Sequence, residues 1–299
     1  MTKKALKPIV KWAGGKGQLI GEISSLYPKG LGTSIKRYAE PFVGGGAVLF
    51  DILSKYDMDE VYISDINAEL INMYCKVKTE ASELVSLLST LQEQFIPLSD
   101  SERKIYYYER RSRYNGLILS GKSEDSLESA ALFIFLNRTC FNGLYRVNSK
   151  GLYNVPMGAY KNPQICDADN IMAASEALQN VEIVCGDYKE SEKFIDKNTF
   201  VYFDPPYRPL NATSNFTSYT ENDFGDKEQV ELSEFAGRMR KKGAQIVLSN
   251  SDPKNTNSED EFFDKIYSSY IIRRVEATRM INCNSASRGR IKELLISNY

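Results

Sequence analysis

The segment Thr199-Phe-Val-Tyr-Phe-Asp204-Pro205-Pro206-Tyr207 constrains this chain more than any other stretch. Its first five residues are β-branched or aromatic, the composition of a strand covered on both faces at the centre of a parallel sheet. Two successive prolines cannot donate to a sheet ladder, so the chain leaves the strand at Asp204. In open α/β sheets, ligands bind in the crevice outside the carboxyl ends of the strands. Pro205 and Pro206 fix φ and lack an N–H, which holds their carbonyls in place as acceptors. A carboxylate, a rigid carbonyl and the face of Tyr207 together suit a flat base with an exocyclic amino group, whose two N–H bonds need two acceptors. The alternative for the same residues is a strand followed by a proline turn with a capping aspartate.

Composition removes several chemistries. The 299 residues contain no histidine, which excludes Ser-His-Asp and Cys-His catalysis and imidazole metal sites. Cys75, Cys140, Cys166, Cys185 and Cys283 are widely spaced with no C-x-x-C pair, so neither zinc nor a disulfide framework is favoured. The net charge of −1 means that a polyanionic partner would need local basic patches. Lys3, Lys4 and Lys7 are followed only by Pro8-Ile-Val10 before Lys11, which is no signal peptide. The apolar run Ala130 to Leu136 is too short to span a bilayer, so a cytoplasmic location is expected.

The glycine-rich segment Lys11-Trp12-Ala13-Gly14-Gly15-Lys16-Gly17-Gln18 fails as a P-loop: Val10 stands at its first glycine, and Gly17 replaces the Ser or Thr after the lysine. A loop with a core tryptophan is the plain alternative. A short helix is expected over Leu19 to Leu26. Tyr38 to Ala47 reads as a strand, a tight turn at Gly44-Gly45-Gly46 and a helix to about Lys55, where the backbone can approach a ligand closely. Leu49 occupies the third glycine of the dinucleotide fingerprint, so that fingerprint is incomplete. A second strand, Glu60 to Ser64, ends at Asp65, where an acid accepts hydrogen bonds from ribose hydroxyls. The pattern fits a nucleoside cofactor better than a phosphate-rich one. Asn67 to Leu91 is helical by its apolar period.

Beyond Ser99, cations such as Arg103, Lys104, Arg110, Arg111 and Arg113 interleave with Tyr106, Tyr107, Tyr108 and Tyr114. This is the footprint of nucleic-acid binding, or alternatively of solvated helix faces. Phe141 to Pro156 has two extended arms around Asn148-Ser-Lys-Gly151, a hairpin signal, and Arg146 on it could read guanine in a major groove. Val181 to Cys185 is a strand running to Gly186-Asp187, and Ala244 to Asn250 a strand after a helix closing at Lys241-Lys-Gly243. Pro253 to Asp260 reads as a polar, mobile loop. Val275 to Arg279 and Glu293 to Asn298 read as a closing antiparallel pair around the basic loop Ser285 to Arg290.

Lys11-Trp-Ala-Gly-Gly-Lys16, Glu40-Pro-Phe-Val-Gly-Gly-Gly46, Asp204-Pro-Pro-Tyr207 and Glu293-Leu-Leu-Ile-Ser-Asn-Tyr299 occur in the order seen in Dam-type DNA adenine-N6 methyltransferases of the alpha group (D12 class), and the resemblance runs over nearly the whole chain. It implies an α/β fold: a mainly parallel, seven-stranded, Rossmann-like sheet that binds S-adenosylmethionine, with an inserted helical and hairpin target-recognition domain. The implied boundaries are 1–76 and 164–299 for the catalytic domain and 77–163 for target recognition, with the DNA-reading hairpin at 141–160. Cofactor contacts are implied for Trp12, Ala13, Gly14, Lys16, Glu40, Phe42, Gly44, Gly46, Asp65, Ile66, Asp187, Tyr188 and Asp204. Asp204, Pro205, Pro206 and Tyr207 are implied as catalytic, and Lys11, Phe141, Asn142, Leu144, Arg146, Pro156 and Tyr160 as DNA contacts. No metal is implied.

The hairpin resembles that of the GATC-recognising branch, except that Ala159 stands where relatives often carry a basic residue. The resemblance implies methylation of adenine N6 in duplex DNA, with the base flipped out and stacked on Tyr207. A cognate restriction endonuclease acting separately would be compatible with it. The alternatives are methylation of an amino group in RNA or of a protein glutamine, and a catalytically silent DNA-binding homologue.

Overall fold

The computed structural model describes residues 5–209, 224–278 and 290–299. In chain order the helices and strands are α1 (Ile20–Ser24), β1 (Arg37–Glu40), α2 (Ala47–Lys55), β2 (Glu60–Asp65), α3 (Ala68–Thr79), α4 (Ala81–Phe95), α5 (Asp100–Leu119), α6 (Leu127–Thr139), α7 (Ala168–Leu178), β3 (Val181–Cys185), β4 (Thr199–Phe203), α8 (Asp226–Lys241), β5 (Gln245–Ser251), α9 (Phe262–Ile266), β6 (Ile271–Thr278) and β7 (Arg290–Ser297). The strands form a seven-stranded sheet in the order β3-β2-β1-β4-β5-β7-β6. β1 pairs in parallel with β2 and β4, and β4 with β5, whereas β7 runs antiparallel to β5 and β6. This is the mainly parallel, seven-stranded, Rossmann-like α/β sheet that the family resemblance implied.

The chain divides into two compact units. One comprises 1–15, 44–55 and 65–186 and is mostly helical. At its centre lies α6, buried from Ser129 through Asn137. A helix apolar on all sides belongs inside a protein, which is where the Ala130–Leu136 run goes. Against it pack α3, α4 and α5. The single helix expected over Asn67 to Leu91 is instead two, because Glu80 leaves the helical region at φ −137°, ψ 40°. The break lets the buried face Leu70, Met73, Tyr74 and Val77 and the face Leu84, Leu88 and Phe95 both reach the core. At the joint, the buried Lys76 ammonium holds Glu80 at 2.5 Å and Asp125 at 2.6 Å.

The other unit comprises 16–43, 56–64 and 187–299. All five residues of β4 are buried, as expected for a strand flanked on both edges and covered on both faces. The order reverses between β1 and β4, so the crevice outside their carboxyl ends receives Glu40 from one and Asp204 from the other. The closing pair is an eight-residue antiparallel ladder from Ile271↔Ser297 to Thr278↔Arg290, while the basic loop at Ser285–Gly289 lies outside the described residues. The segment read as a mobile loop at Pro253 to Asp260 begins with a 3-10 turn, Pro253–Asn255, capped by the buried Asp252 side chain on the Lys254 N–H.

Candidate active site

At the end of β4, Asp204 is held from two sides. Ser249 Oγ donates to its Oδ1 at 2.9 Å, and Lys16 Nζ lies 2.6 Å from the same oxygen. Tyr202, on β4, shares a hydrogen bond of 2.9 Å with Ser249. Lys16 is only 4% exposed. Burial alone would depress its pKa, but the charges of Asp204, Tyr207 and Glu293 outweigh that and hold it above the ordinary lysine range. The same ammonium donates to Tyr207 Oη at 3.1 Å and lies 4.8 Å from the ring centroid. Tyr207 Oη in turn donates to the Glu293 carboxylate, 2.7 Å from each oxygen. Burial raises the Tyr207 pKa, although Lys16 opposes the shift.

β5 lies under this turn and grips it from both faces. Side chains alternate along a strand, so Ser249 and Asn250 point to opposite sides. Ser249 holds Asp204, while Asn250 Nδ2 donates to Gln229 Oε1 (3.2 Å), whose amide nitrogen donates to the Pro206 carbonyl at 2.9 Å. The protein itself therefore uses one lone pair of the Pro206 carbonyl. Gln229 lies on α8 and, like Asn250, is fully buried. Sequence reasoning missed Ser249, Gln229, Asn250 and Glu293 as site residues. The available signal was polar side chains in otherwise apolar strands, at Ser249-Asn250 and at Glu293 before Leu-Leu-Ile. Glu40 is 2% exposed and accepts from Tyr38 Oη at 2.7 Å. Phe42 stacks on Tyr188 at 5.2 Å between ring centroids. Tyr188 is buried and its pKa is pushed up to about 12 by burial, whereas Asp187 is exposed and caps the following turn through the Lys189 N–H.

In the helical unit, the glycine turn and the acid after β2 meet. Asp65 accepts from the Gly44 N–H at 3.1 Å and the Asn67 N–H at 3.0 Å, and Asn67 caps α3 through the Leu70 N–H. Burial raises the Asp65 pKa, and these backbone donors pull against it. The position of Gly46, at φ +72°, favours glycine: a Cβ there would be strained and would stand 2.5 Å from Tyr74 Oη, which donates to the Gly44 carbonyl at 2.9 Å. A Cβ on Gly44 would stand 2.8 Å from Trp12. Trp12 also stacks on Tyr145 at 5.4 Å, joining the glycine turn to the hairpin's aromatic core. Ala13 and Gly14 are exposed beside it, and Ile66, next to Asp65, is 62% exposed.

The expected DNA-contacting residues are also gathered in this unit. Lys11 Nζ donates to Tyr160 Oη at 3.2 Å and lies over its ring. The Asn137 side chain accepts from the Lys11 N–H at 2.8 Å and donates to the carbonyls of Lys11 (2.8 Å) and Gly143 (3.1 Å). The Phe141 N–H donates to the Pro156 carbonyl, which brings the two ends of the hairpin together. Phe141 is exposed, and Asn142 beside it has φ 56°. The hairpin is sparsely laddered, with bridges Cys140↔Met157 and Val147↔Tyr153. Arg146 is exposed and lies against Asn154 (Nε to Oδ1, 2.7 Å), and Leu144 is half-buried. Part of the basic footprint serves the fold: Arg103 donates to the carbonyls of Phe95, Ile96, Tyr160 and Lys161, and Arg113 pairs with Glu128 at 2.7 Å. Asn137 was not foreseen, since an asparagine in an apolar helix gives no sign of what it will hold.

A buried parallel strand ending in Asp-Pro-Pro-Tyr on a seven-stranded sheet is the arrangement that the resemblance implied for a methyltransferase acting on an amino group. The family model described as D12 class N6 adenine-specific DNA methyltransferase matches residues 12–281. The chain is 48% identical to the Type II methyltransferase M.MjaIII of Methanocaldococcus jannaschii, over 98% of this chain and 99% of that one. It is 38% identical to the Type II methyltransferase M1.LlaDCHI of Lactococcus lactis subsp. cremoris (100% and 97%) and 35% identical to the DNA adenine methylase of Escherichia coli (98% and 95%). The chain belongs to the D12 class of adenine-specific DNA methyltransferases and is an enzyme of that kind. Membership in a methyltransferase family implies use of S-adenosylmethionine. Among the described residues no helix is long and apolar enough to cross a membrane, and no three His, Cys, Asp or Glu side chains gather as a metal set.

Proposed function

We propose that this enzyme methylates N6 of the adenine in GATC, reading the duplex with residues 77–163 and taking the target base out of the helix. The observation that carries the reading is the double anchoring of the Asp204 turn. Lys16 and Ser249 fix one carboxylate oxygen, and Gln229 takes the Pro206 carbonyl, so the Asp204 carboxylate and the Pro205 carbonyl are the acceptors assigned to the two N6 hydrogens. Lys16 stays protonated and keeps a positive charge beside Asp204, which leaves the carboxylate, and not the lysine, to accept from the amino group. The base stacks on Tyr207, and unstacking it from the duplex costs a few kcal/mol. Positioning and charge stabilisation of this kind supply most of the acceleration without an imidazole base.

S-adenosylmethionine, when bound, supplies the methyl group. The residues present fit it. Gly44 and Gly46 are turns that a side chain would obstruct, and Asp65 is a carboxylate with lone pairs beyond those its backbone donors use, suited to ribose hydroxyls. Within the helical unit Trp12, Ala13, Gly14, Asp65 and Ile66 would serve the cofactor, and within the sheet unit Lys16, Glu40, Phe42, Asp187, Tyr188 and Asp204. Lys11, Phe141, Asn142, Leu144, Arg146, Pro156 and Tyr160 would serve the DNA. GATC rests on the likeness of the hairpin to that branch. The restriction-modification role rests on the printed names of the Type II relatives and on no residue of this chain.

The test is transfer of a labelled methyl group to three duplexes: one with GATC, one with its adenine replaced and one scrambled. Label confined to the GATC adenine is the expected result; label on every adenine-containing duplex overturns the sequence assignment. Asp204→Asn, which keeps the shape, should lower the transfer rate by about 10²- to 10³-fold with the fold intact, and a well-folded, fully active variant refutes the mechanism.

A further inference from the structure

We propose that Glu293 is a positioning residue for methyl transfer, acting through the hydroxyl of Tyr207. The inference rests on the reading of Asp204 to Tyr207 as the adenine site. Stacking a base requires only the ring of Tyr207; the hydroxyl is a handle. Its oxygen lies between two charged groups, donating to Glu293 at 2.7 Å and accepting from Lys16 at 3.1 Å. A ring gripped at its far end by a donor and an acceptor has that end held in place, which keeps it where a stacked base needs it before its amino group can meet Asp204.

Glu293 is well built for this. It is 5% exposed and lies on β7, where its backbone pairs with Ser251 on one side and Val275 on the other. Residues directly opposite in an antiparallel pair share a face, and side chains alternate along a strand. Ser249 pairs with Leu295 and Ser251 with Glu293, so Glu293 projects from the same sheet face as Ser249. One face of the β5–β7 ladder therefore holds both ends of the motif: Ser249 holds the carboxylate of Asp204, and Glu293 holds the ring of Tyr207. A slip of β7 by one residue in that ladder would turn Glu293 to the other face, away from Ser249 and Tyr207.

The test is a double-mutant cycle of Glu293→Ala and Tyr207→Phe, with Glu293→Gln as the conservative variant. It is read by kcat and KM on the GATC duplex, by fluorescence of 2-aminopurine at the target adenine, and by calorimetric binding of S-adenosylmethionine. Glu293→Ala should lower kcat by about 10- to 100-fold and weaken the flipping signal, with cofactor affinity held within about threefold, and Glu293→Gln should recover most of the loss. In the Tyr207→Phe background, Glu293→Ala should add less than about threefold, because both changes act at one oxygen. A full additional loss in that background overturns the proposal, as does wild-type activity in Glu293→Ala. If the alanine variant does not fold, the Gln cycle decides by the same criterion. Failure of the wild type to methylate any duplex would sink the adenine-site reading itself; an active wild type in which Glu293 acts independently of Tyr207 sinks only this inference.

Discussion

Replacing Lys16 with methionine keeps an unbranched apolar stem of nearly the same length and removes the charge together with the N–H donors. The ammonium it deletes is 4% exposed and lies 2.6 Å from Asp204 and 3.1 Å from Tyr207 Oη, which is itself bound to Glu293. The substitution removes the cation paired with Asp204 and close enough to Glu293 to feel its charge. Breaking a buried ion pair by removing one partner costs about 3–5 kcal/mol, and the 20% exposure of Asp204 favours the lower end, about 3 kcal/mol. Lys36 provides the control: it pairs with Asp59 at 3.3 Å, with both side chains well exposed, so Lys36→Met should cost about 0–1 kcal/mol. The pH dependence has a definite sign. The folded Lys16 pKa is raised above its unfolded value, so its contribution is fully present below the ordinary lysine pKa of about 10.4 and is lost only as pH rises through the higher folded value. Urea unfolding of wild type and Lys16→Met should therefore give midpoints separated by a constant amount from about pH 6 to about pH 9. A cost at neutral pH no larger than that of Lys36→Met would refute the view that Lys16 neutralises a buried acidic cluster.

Three further outcomes follow from the geometry. Gly46→Ala should destabilise the protein by about 2–4 kcal/mol, combining left-handed strain with displacement of Tyr74 from the Gly44 carbonyl; calorimetric melting within about 1 °C of wild type would contradict this. Asn137→Ala should cost about 2–4 kcal/mol, because it strips the Lys11 N–H and the Lys11 and Gly143 carbonyls of their partner. Raised KM for DNA with unchanged cofactor affinity would accompany it, and an unaltered denaturation midpoint would sink the account. Arg146→Ala should lose about 1–3 kcal/mol of discrimination at one base pair, measured as relative kcat/KM on duplexes altered one pair at a time; unchanged selectivity would remove the hairpin from the reading function.

The elements were legible where one periodicity governed a segment. β4 and its exit at Asp204, the glycine turn into α2, β2 running to Asp65, and the closing ladder of β6 and β7 all follow from residues near in sequence, because strand alternation and proline and glycine chemistry are local. The break at Glu80 escaped because both halves of the run are apolar at helical spacing, and only the core they share shows that the chain must bend there. The basic footprint between α4 and the hairpin was legible as composition. Which arginines hold carbonyls or Glu128 depended on distant segments coming alongside.

The sequence by itself determined the chemistry available: no imidazole, a carboxylate after a buried strand, two rigid carbonyls, an aromatic face and a glycine turn. Only the tertiary structure decided how these groups are held. Lys16, Ser249, Gln229, Asn250 and Glu293 converge on the Asp204–Tyr207 turn from segments up to 191 residues away from it along the chain. A polar residue at a strand end carries no local mark of its partner. Its role is fixed by strand register and by the burial that obliges each polar atom to find a hydrogen bond, and both exist only once the sheet has formed.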